Sequence, residues 1–349
     1  MLHIPSYFKE LKNLEKQGID YEGRVIISDR AHIVFDFHQD VDGASEDAAP
    51  AGQKIGTTRR GIGPAYASKV SRIGVRVGDL QFPKVFRGKL ERMAAYWQRS
   101  FPSVKVDVDK TVDEYLAYYE TIRPTVVDSI AYVHDALADG RRIMVEGANA
   151  TMLDLDFGTY PYVTSSNCSV GGAATGLGIP PSRMGAVVGV AKAYATRVGE
   201  GPFPTELNNT IGEQLRKVGG EFGVTTGRPR RCGWLDLVAL RYAHAINNFT
   251  CLNITKLDVL SGLPEVKVCI GYEYQGKPLK WFPASLEVLA DCKPVFKTFK
   301  GWDADITKCR TLKDLPNEAQ ELIRFIEKEM GCPATWIGVG PGREGMVIQ

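Results

Sequence analysis

The chain has 349 residues, of which 44% are hydrophobic and 24% are charged, and its formal net charge is +2. This balance is typical of a globular protein and excludes disordered and collagen-like chains. The small net charge favours neither nucleic acid nor a membrane surface, and no apolar stretch is as long as a spanning helix. We therefore predict a cytoplasmic protein. Its seven cysteines occur singly and without zinc-site spacing, which indicates reduced, structural thiols.

Helical patterns alternate with short β-branched runs along the chain. In order, the pattern predicts a helix at 5–17, strands at 24–28 and 33–37, helices at 86–100, 111–120 and 126–138, strands at 143–146 and 187–191, a helix at 235–248 and a strand at 252–255. Such alternation indicates an α/β fold with a large, mostly parallel central sheet flanked by helices. No repeat or linker interrupts it, so we predict one domain over residues 1–349. His32 and His38 flank the strand at 33–37 and are interpreted as structural, with a catalytic base as the alternative.

The segment 54–69 carries two threonines and two arginines between glycines, in the order Lys-Ile-Gly-Thr-Thr-Arg-Arg-Gly-Ile-Gly. Hydroxyl, guanidinium and exposed backbone N–H groups are donors that bind phosphate. A solvated basic turn is the alternative, since the pattern is not that of a Walker A loop.

A second segment, 145–167, leads from a predicted strand through Gly-Ala-Asn into a stretch that is rich in amide and hydroxyl groups. Asn149, Thr164 and Ser165 are able to hydrogen-bond a polar heterocycle or a phosphate without adding charge. The alternative is a turn in which such side chains satisfy the backbone.

Residues 224–231 place three arginines within four positions on a glycine-bounded loop. Guanidinium groups bind carboxylates and phosphates bidentately and stay charged, so the loop is a candidate clamp for either anion. An exposed charged patch or a nuclear-localisation signal is the alternative.

The sequence Asn-Ile-Thr-Lys-Leu-Asp at 253–258 resembles the guanine-recognition motif of GTPases. The carboxylate of that motif accepts two hydrogens from guanine, whereas adenine would leave it unpaired. An exposed Lys-Asp turn is the alternative. A glycine-rich loop at 336–343 is a further candidate for main-chain contacts with a base.

Four stretches together resemble the adenylosuccinate synthetase family in its eukaryotic form, namely residues 26–38, 56–66, 158–167 and 227–231. The resemblance implies a P-loop-NTPase-related adenylosuccinate synthetase fold and a ligase of the AMP branch of purine biosynthesis. In that reaction GTP phosphorylates the 6-oxygen of IMP, and L-aspartate displaces the phosphate to give adenylosuccinate, GDP and phosphate. Such chemistry requires Mg²⁺.

The resemblance also implies which residues contact each substrate. For IMP these are Thr58, Arg72, Asn149, Thr164 and Arg228. For aspartate they are Val224, Thr225, Thr226, Gly227, Arg228, Pro229 and Arg230. For GTP they are Arg230, Lys256, Leu257, Asp258, Gly338, Val339 and Gly340. Arg72 would reach across a homodimer interface to the partner's IMP.

The chain departs from the family pattern at its amino terminus. Family members begin with a Gly-Asp-Glu-Gly-Lys-Gly loop and an Asn-Ala-Gly-His-Thr segment, and neither string occurs here. In the family these segments supply the general base, the general acid, the phosphate-loop lysine and the Mg²⁺ contacts. We therefore expect an N-terminally truncated fold and assign no catalytic or metal-binding residue in this chain. The alternative function is a non-catalytic truncated paralogue or isoform that binds nucleotide or pairs with a full-length subunit.

Overall fold

The structure is a computed structural model that describes residues 1–50, 54–224 and 227–349. The chain divides into two compact units. The first comprises residues 1–146, 164–166 and 173–179, and the second comprises residues 147–163, 167–172 and 180–349. The prediction that residues 1–349 form one domain is not tested by this division and stays a prediction.

The first unit is mainly helical. Its elements are α1 (Ile4–Lys16), β1 (Ile27–Ser28), α2 (Asp36–Ala48), α3 (Ile62–Val70), α4 (Pro83–Ser100), α5 (Val108–Ile122), β2 (Val126–Val127) and α6 (Ser129–Ala138). Strands β1 and β2 pair in parallel, and the fully buried Phe35, Phe86 and Tyr115 are among the largest side chains of the core. The predicted helices at 5–17, 86–100 and 111–120 are confirmed, and the one predicted at 126–138 begins later, because its first two residues form β2. Helix α7 (Val170–Leu177) contributes residues to both units.

The start of α2 is fixed by His38, which has no exposed surface. The Phe35 N–H donates to Nδ1 of His38 at 3.1 Å, so Nδ1 is unprotonated and Nε2 carries the proton. Nε2 lies 3.2 Å from Oγ of Ser68, which also accepts a hydrogen bond from Nε1 of Trp97 at 2.9 Å. Burial lowers the pKa of His38 to about 3. Every polar atom of the ring has a partner, as expected of a structural histidine.

Two predicted strands are wrong. Residues 33–37 do not form a strand, because Ile33 makes only an isolated bridge to Leu2 and α2 already begins at Asp36. Residues 143–146 have no regular secondary structure, and their side chains are exposed, Met144 at 87%. An apolar run becomes a strand only where neighbouring backbone supplies hydrogen-bond partners, and the described residues supply none at 143–146.

The second unit carries most of the strands. Its elements are β3 (Val188–Lys192), β4 (Ala195–Arg197), α8 (Thr210–Val218), β5 (Arg231–Gly233), β6 (Leu235–Asp236), α9 (Leu237–Asn247), β7 (Cys251–Thr255), β8 (Glu265–Tyr274), β9 (Lys277–Leu279), α10 (Leu286–Asp291), β10 (Lys293–Lys300), α11 (Asn317–Met330), β11 (Trp336–Gly338) and β12 (Met346–Ile348). These bounds confirm the strands predicted at 187–191 and 252–255. The helix predicted at 235–248 begins later, because its first two residues form β6. No helix in the described parts of the chain is long and apolar enough to cross a membrane.

The large, mostly parallel sheet is not confirmed, because the described strands lie in four separate sheets. In the sheet β12-β11-β7-β3, strands β3, β7 and β11 are parallel and β12 is antiparallel. In the other four-stranded sheet, β8 pairs antiparallel with β9 and β10 and parallel with β6, and β4 and β5 form a separate antiparallel pair. Short connections favour antiparallel neighbours: β8 and β9 are joined by Gln275 and Gly276, both with positive φ.

Candidate functional site

The parallel strands β7 and β11 end side by side, and the two predicted guanine-binding segments follow them. Ile337 pairs with Ile254, and a Cβ on Gly338 would lie only 3.3 Å from Cα of Thr255. Lys256 adopts φ 60° directly after β7 and precedes the tight turn Leu257–Leu260. The carboxyl ends of neighbouring parallel strands are where ligands bind in α/β sheets.

Buried apolar side chains fix this edge of the sheet. Leu257 and Val339 have no exposed surface, and the Val339 N–H donates to the carbonyl of Gly345 at 2.8 Å. The structure therefore places Lys256 and the turn Leu257–Leu260 beside Gly338, at the ends of the two strands.

Asp258 presents a buried carboxyl oxygen at this edge. Its Oδ1 has no hydrogen-bond partner among the described residues. Burial raises the pKa of Asp258, and a hydrogen bond from its own backbone N–H and the charge of Lys256 oppose that shift only in part. Buried polar atoms without partners are uncommon, so Oδ1 is an acceptor available to a ligand.

Glu221 gathers the cations of this region and has no exposed surface itself. Its Oε2 accepts hydrogen bonds from Nζ of Lys192 and Nη1 of Arg230, each at 2.8 Å. Its Oε1 accepts from the hydroxyl of Tyr194 at 2.6 Å and from Nζ of Lys256 at 3.1 Å. Burial alone would raise the pKa of Glu221, but these donors outweigh burial and hold it at about 2.

Glu221, Lys192 and Tyr194 were not predicted as site residues. The sequence did contain a signal for Lys192. This residue is the last of β3, which was predicted at 187–191, and polar residues at the ends of such strands are candidates for a site. Nothing in the local sequence indicated Glu221, which lies in a glycine-rich stretch.

The predicted aspartate loop is anchored at one end. The Arg230 N–H donates to the carbonyl of Glu221 at 2.9 Å, and the Gly223 N–H donates to the carbonyl of Arg228 at 2.8 Å. Gly227, at φ 64°, donates its N–H to the carbonyl of Gly223 at 2.7 Å. These bonds engage described backbone groups of Gly223, Gly227, Arg228 and Arg230.

The other described residues of that loop face solvent. Val224 is 98% exposed, and Gly227, Arg228 and Pro229 are also exposed. The predicted contacts Thr225 and Thr226 lie outside the described residues. Arg230 is partly buried, and its Nε has no partner in the described parts of the chain.

Arg231 does not join the clamp that three arginines suggested. Its Nε donates to Oε1 of Glu206 at 2.7 Å, and its Nη1 donates to the carbonyl of Gly201 at 2.7 Å. The hydrogen bond and charge of Arg231 lower the pKa of Glu206. Arg231 is thus engaged in an ion pair outside the predicted substrate contacts, whereas Arg228 and Arg230 are the two arginines of the loop that the family resemblance assigned to substrates.

Carboxylates of α2 hold the segment 54–69 in the first unit. The Gly56 N–H donates to Oε1 of Glu46 at 2.7 Å, and the Gly61 N–H donates to Oδ2 of Asp42 at 2.9 Å. Those two main-chain donors are therefore taken by the protein rather than left for a phosphate. Thr58 is exposed, and so is Arg72, which follows α3 with φ 60°.

Asp154 organises the segment that the sequence singled out at 145–167. It has no exposed surface and accepts hydrogen bonds from the N–H groups of Asp156 at 2.9 Å and of Phe157 and Ser169 at 3.2 Å each. The side chain of Asn167 donates to the same carboxylate at 3.3 Å.

The predicted IMP contacts are divided between the units. Asn149, exposed at φ 71°, and Arg228 lie in the second unit. Thr58, Arg72 and Thr164 lie in the first.

His32 is the other histidine for which a catalytic base was the alternative to a structural role. Its Nδ1 is buried and has no partner within the described residues. Burial, together with the charges of Arg76 and Lys69, lowers the pKa of His32 to about 4, so the ring is neutral at pH 7. No group of three His, Cys, Asp or Glu residues in the described ranges is placed to hold a metal ion.

Comparison with known proteins gives the family. A family model described as adenylosuccinate synthetase matches residues 1–347. The chain belongs to the adenylosuccinate synthetase family. The synthetase of Mycosarcoma maydis is 52% identical over 347 residues, which are 99% of this chain and 79% of that protein. Adenylosuccinate synthetase 1, chloroplastic, of Physcomitrium patens is 53% identical over 353 residues, covering 100% of this chain and 68% of that protein.

A solved structure agrees with the synthetase fold. The fully ligated adenylosuccinate synthetase of Plasmodium falciparum superimposes with a TM-score of 0.94 at 42% identity, covering 99% of this chain and 82% of that one. The predicted family and its ligase function, GTP-dependent joining of IMP and L-aspartate, are therefore confirmed over the alternative of a non-catalytic paralogue. The comparisons do not support the expected amino-terminal truncation, which stays a prediction.

Proposed function

We propose that the described residues of this adenylosuccinate synthetase recognise the guanine of GTP at the ends of β7 and β11, and L-aspartate on the loop at 224–230. The observation that carries the proposal is the buried Oδ1 of Asp258, which has no partner within the described residues. Protein donors satisfy nearly all buried carboxylates, so an open acceptor at the carboxyl end of a strand is suited to a ligand N–H.

Guanine supplies the donors that such a carboxylate requires. Its N1–H and 2-amino groups lie on one edge and would donate to Asp258, while the carbon chain of Lys256 would cover the ring. Adenine presents an acceptor at N1 and would leave the carboxylate buried and unpaired. Gly338, Val339 and Gly340 would border the base with main chain, since a side chain on Gly338 would crowd Thr255.

The aspartate substrate carries two carboxylates, and the loop at 224–230 offers guanidinium groups to match them. Arg230 spends Nη1 on Glu221 and leaves Nε without a partner among the described residues. Arg228 is exposed on the same loop. The proposal assigns aspartate to Val224, Thr225, Thr226, Gly227, Arg228, Pro229 and Arg230, with Arg230 also facing GTP.

The IMP contacts and the assembly are part of the same proposal. Thr58, Asn149, Thr164 and Arg228 would contact IMP, and Arg72 would reach the IMP of a partner in a homodimer. The exposure of Arg72 supports this role, because a residue that crosses an interface must be accessible on the isolated chain. Sedimentation of the chain and of Arg72→Ala would test the dimer.

The proposal assigns no general base, general acid or magnesium ligand to this chain. The phosphate-loop and Asn-Ala-Gly-His-Thr strings do not occur in the sequence. Mg²⁺ would neutralise the phosphates of GTP during transfer. The cytoplasmic location also stays a prediction, and three similar relatives carry chloroplastic names.

Guanine selectivity tests the proposal through Asp258→Asn. The amide would turn a donor toward the guanine edge but would match the carbonyl of xanthine. Two hydrogen bonds to a charged group contribute about 3 kcal/mol together, which corresponds to roughly 150-fold in affinity. We expect GDP binding to weaken by about that factor and binding of xanthosine diphosphate to improve, measured by competition against a fluorescent GDP analogue.

Asp314→Asn is the matched control. Asp314 is exposed and accepts hydrogen bonds from the N–H groups of Arg310 at 3.0 Å and Thr311 at 2.8 Å. Its substitution should leave the ratio of the two affinities unchanged. An unaltered preference for GDP over xanthosine diphosphate in Asp258→Asn would refute the assignment of Asp258 to guanine.

A further inference from the structure

Glu221 is a carboxylate that binds residues proposed for two different substrates. Lys256 belongs to the guanine segment and Arg230 to the aspartate loop, and they bond to opposite oxygens of Glu221, at 3.1 Å and 2.8 Å. Lys192 and Tyr194 complete the group, and neither was assigned a contact with a substrate. Four residues that are spread between positions 192 and 256 thus bond to a single side chain.

The electrostatics of the cluster depend on that carboxylate. Three cations surround one anion that has no exposed surface. Burial lowers the pKa of Lys192, and the charges of Lys256 and Arg230 lower it further, while Glu221 opposes both effects. Without Glu221 the three cations would repel one another, and their side chains would separate toward solvent.

The cluster leaves donors unused, which distinguishes it from an ion pair that serves folding alone. The Lys256 ammonium has three hydrogens. Two of them are donated to the carbonyl of Gly219 and to Glu221, so the third is available. The side chains of Lys256 and Arg230 keep 35% and 26% of their surface exposed, while that of Glu221 keeps 0%. The anion is therefore enclosed, while part of each of the two cationic side chains reaches the surface.

We propose that Glu221 is a positioning residue for nucleotide binding, which holds Lys256 at the guanine edge through the same carboxylate that fixes Arg230 of the aspartate loop. This inference rests on the proposed function, because it takes Lys256 to contact the guanine nucleotide. Glu221 itself is too deeply enclosed to touch a substrate. It acts through Lys256, whose backbone is set by the turn after β7 and whose ammonium is set by Glu221.

A double-mutant cycle separates positioning from general stabilisation. The dissociation constant of a fluorescent GDP analogue would be measured for the wild-type chain, Glu221→Gln, Lys256→Met and the double variant. We expect each single variant to bind about 10-fold more weakly, and the double variant to bind no more than about 20-fold more weakly, since Glu221 acts through a lysine that is already absent. Independent losses would multiply to about 100-fold.

Two further variants keep the test decisive. Glu221→Asp retains the charge on a shorter side chain and is the substitute if Glu221→Gln does not fold; it should bind between the wild-type chain and Lys256→Met. Glu206→Gln removes a carboxylate from Arg231, elsewhere in the same unit, and should change the dissociation constant less than about 2-fold, because Glu206 has no hydrogen bond to Lys256.

The outcomes distinguish the inference from the function on which it rests. A wild-type chain that binds GDP no better than ADP would refute the guanine assignment itself. Selective wild-type binding combined with multiplicative losses, or with Glu221 variants that bind as the wild type does, would overturn the role of Glu221 alone.

Discussion

Asp154 gives the sharpest test of how the polar segment after residue 145 is held. Replacing it with alanine removes a buried carboxylate that accepts from the backbone of Asp156, Phe157, Cys168 and Ser169. Each of the four N–H groups would lose its acceptor, at about 1 kcal/mol apiece. We expect Asp154→Ala to lower the free energy of unfolding by about 4 kcal/mol, measured by urea denaturation.

Asp156→Ala is the control for Asp154→Ala, because Asp156 is exposed and its carboxylate accepts only from the side chain of Asn167 within the described residues. It should change the unfolding free energy by less than about 1 kcal/mol. Burial would raise the pKa of Asp154, but the backbone donors lower it overall, so its stabilisation is complete above about pH 4 and is lost as the pH falls through the lowered pKa. Equal losses for the two alanine variants would refute the anchoring role.

Two further predictions concern stability. His38 has a pKa of about 3 in the folded chain against an ordinary value of 6.5, so the folded chain should lose stability as the pH falls below about 6.5, by roughly 3 kcal/mol at pH 4. Urea unfolding at several pH values should show a flatter curve for His38→Gln, and parallel curves would contradict the prediction. Gly301→Ala should destabilise by more than about 2 kcal/mol, because its Cβ would lie 1.7 Å from the carbonyl oxygen of Leu263. Gly271→Ala, with no atom within 4 Å of the added carbon, is its control, and similar losses in thermal unfolding would show that the backbone yields at Gly301.

Sequence patterns predicted those elements whose signals are local. The helix at 86–100 was predicted from its apolar spacing, and the strand at 252–255 from its β-branched run. The runs at 33–37 and 143–146 carry the same signal, but a strand also requires a neighbouring backbone, which a local pattern does not contain. For the same reason the sequence could not show that β8 pairs antiparallel with β9 and β10.

The candidate site likewise contains residues that a local motif identifies and residues that meet only in the fold. The Lys-Leu-Asp motif was found because its chemistry is contiguous and follows a strand. Glu221 was missed because its role depends on Lys192, Arg230 and Lys256, which lie far apart in sequence and meet only in the fold. Arg231 was taken for a clamp residue because the sequence does not show that Glu206 already pairs with it.

Nucleotide selectivity of the whole chain tests the central claim most directly. Calorimetric titration of the 349-residue chain with GDP and with ADP, at equal Mg²⁺, compares the two bases with all phosphate contacts held the same. Recognition of guanine by Asp258 predicts that GDP binds at least about 100-fold more tightly than ADP, since adenine would leave the buried carboxylate unpaired. Equal affinity for the two nucleotides, or binding of neither, would contradict it.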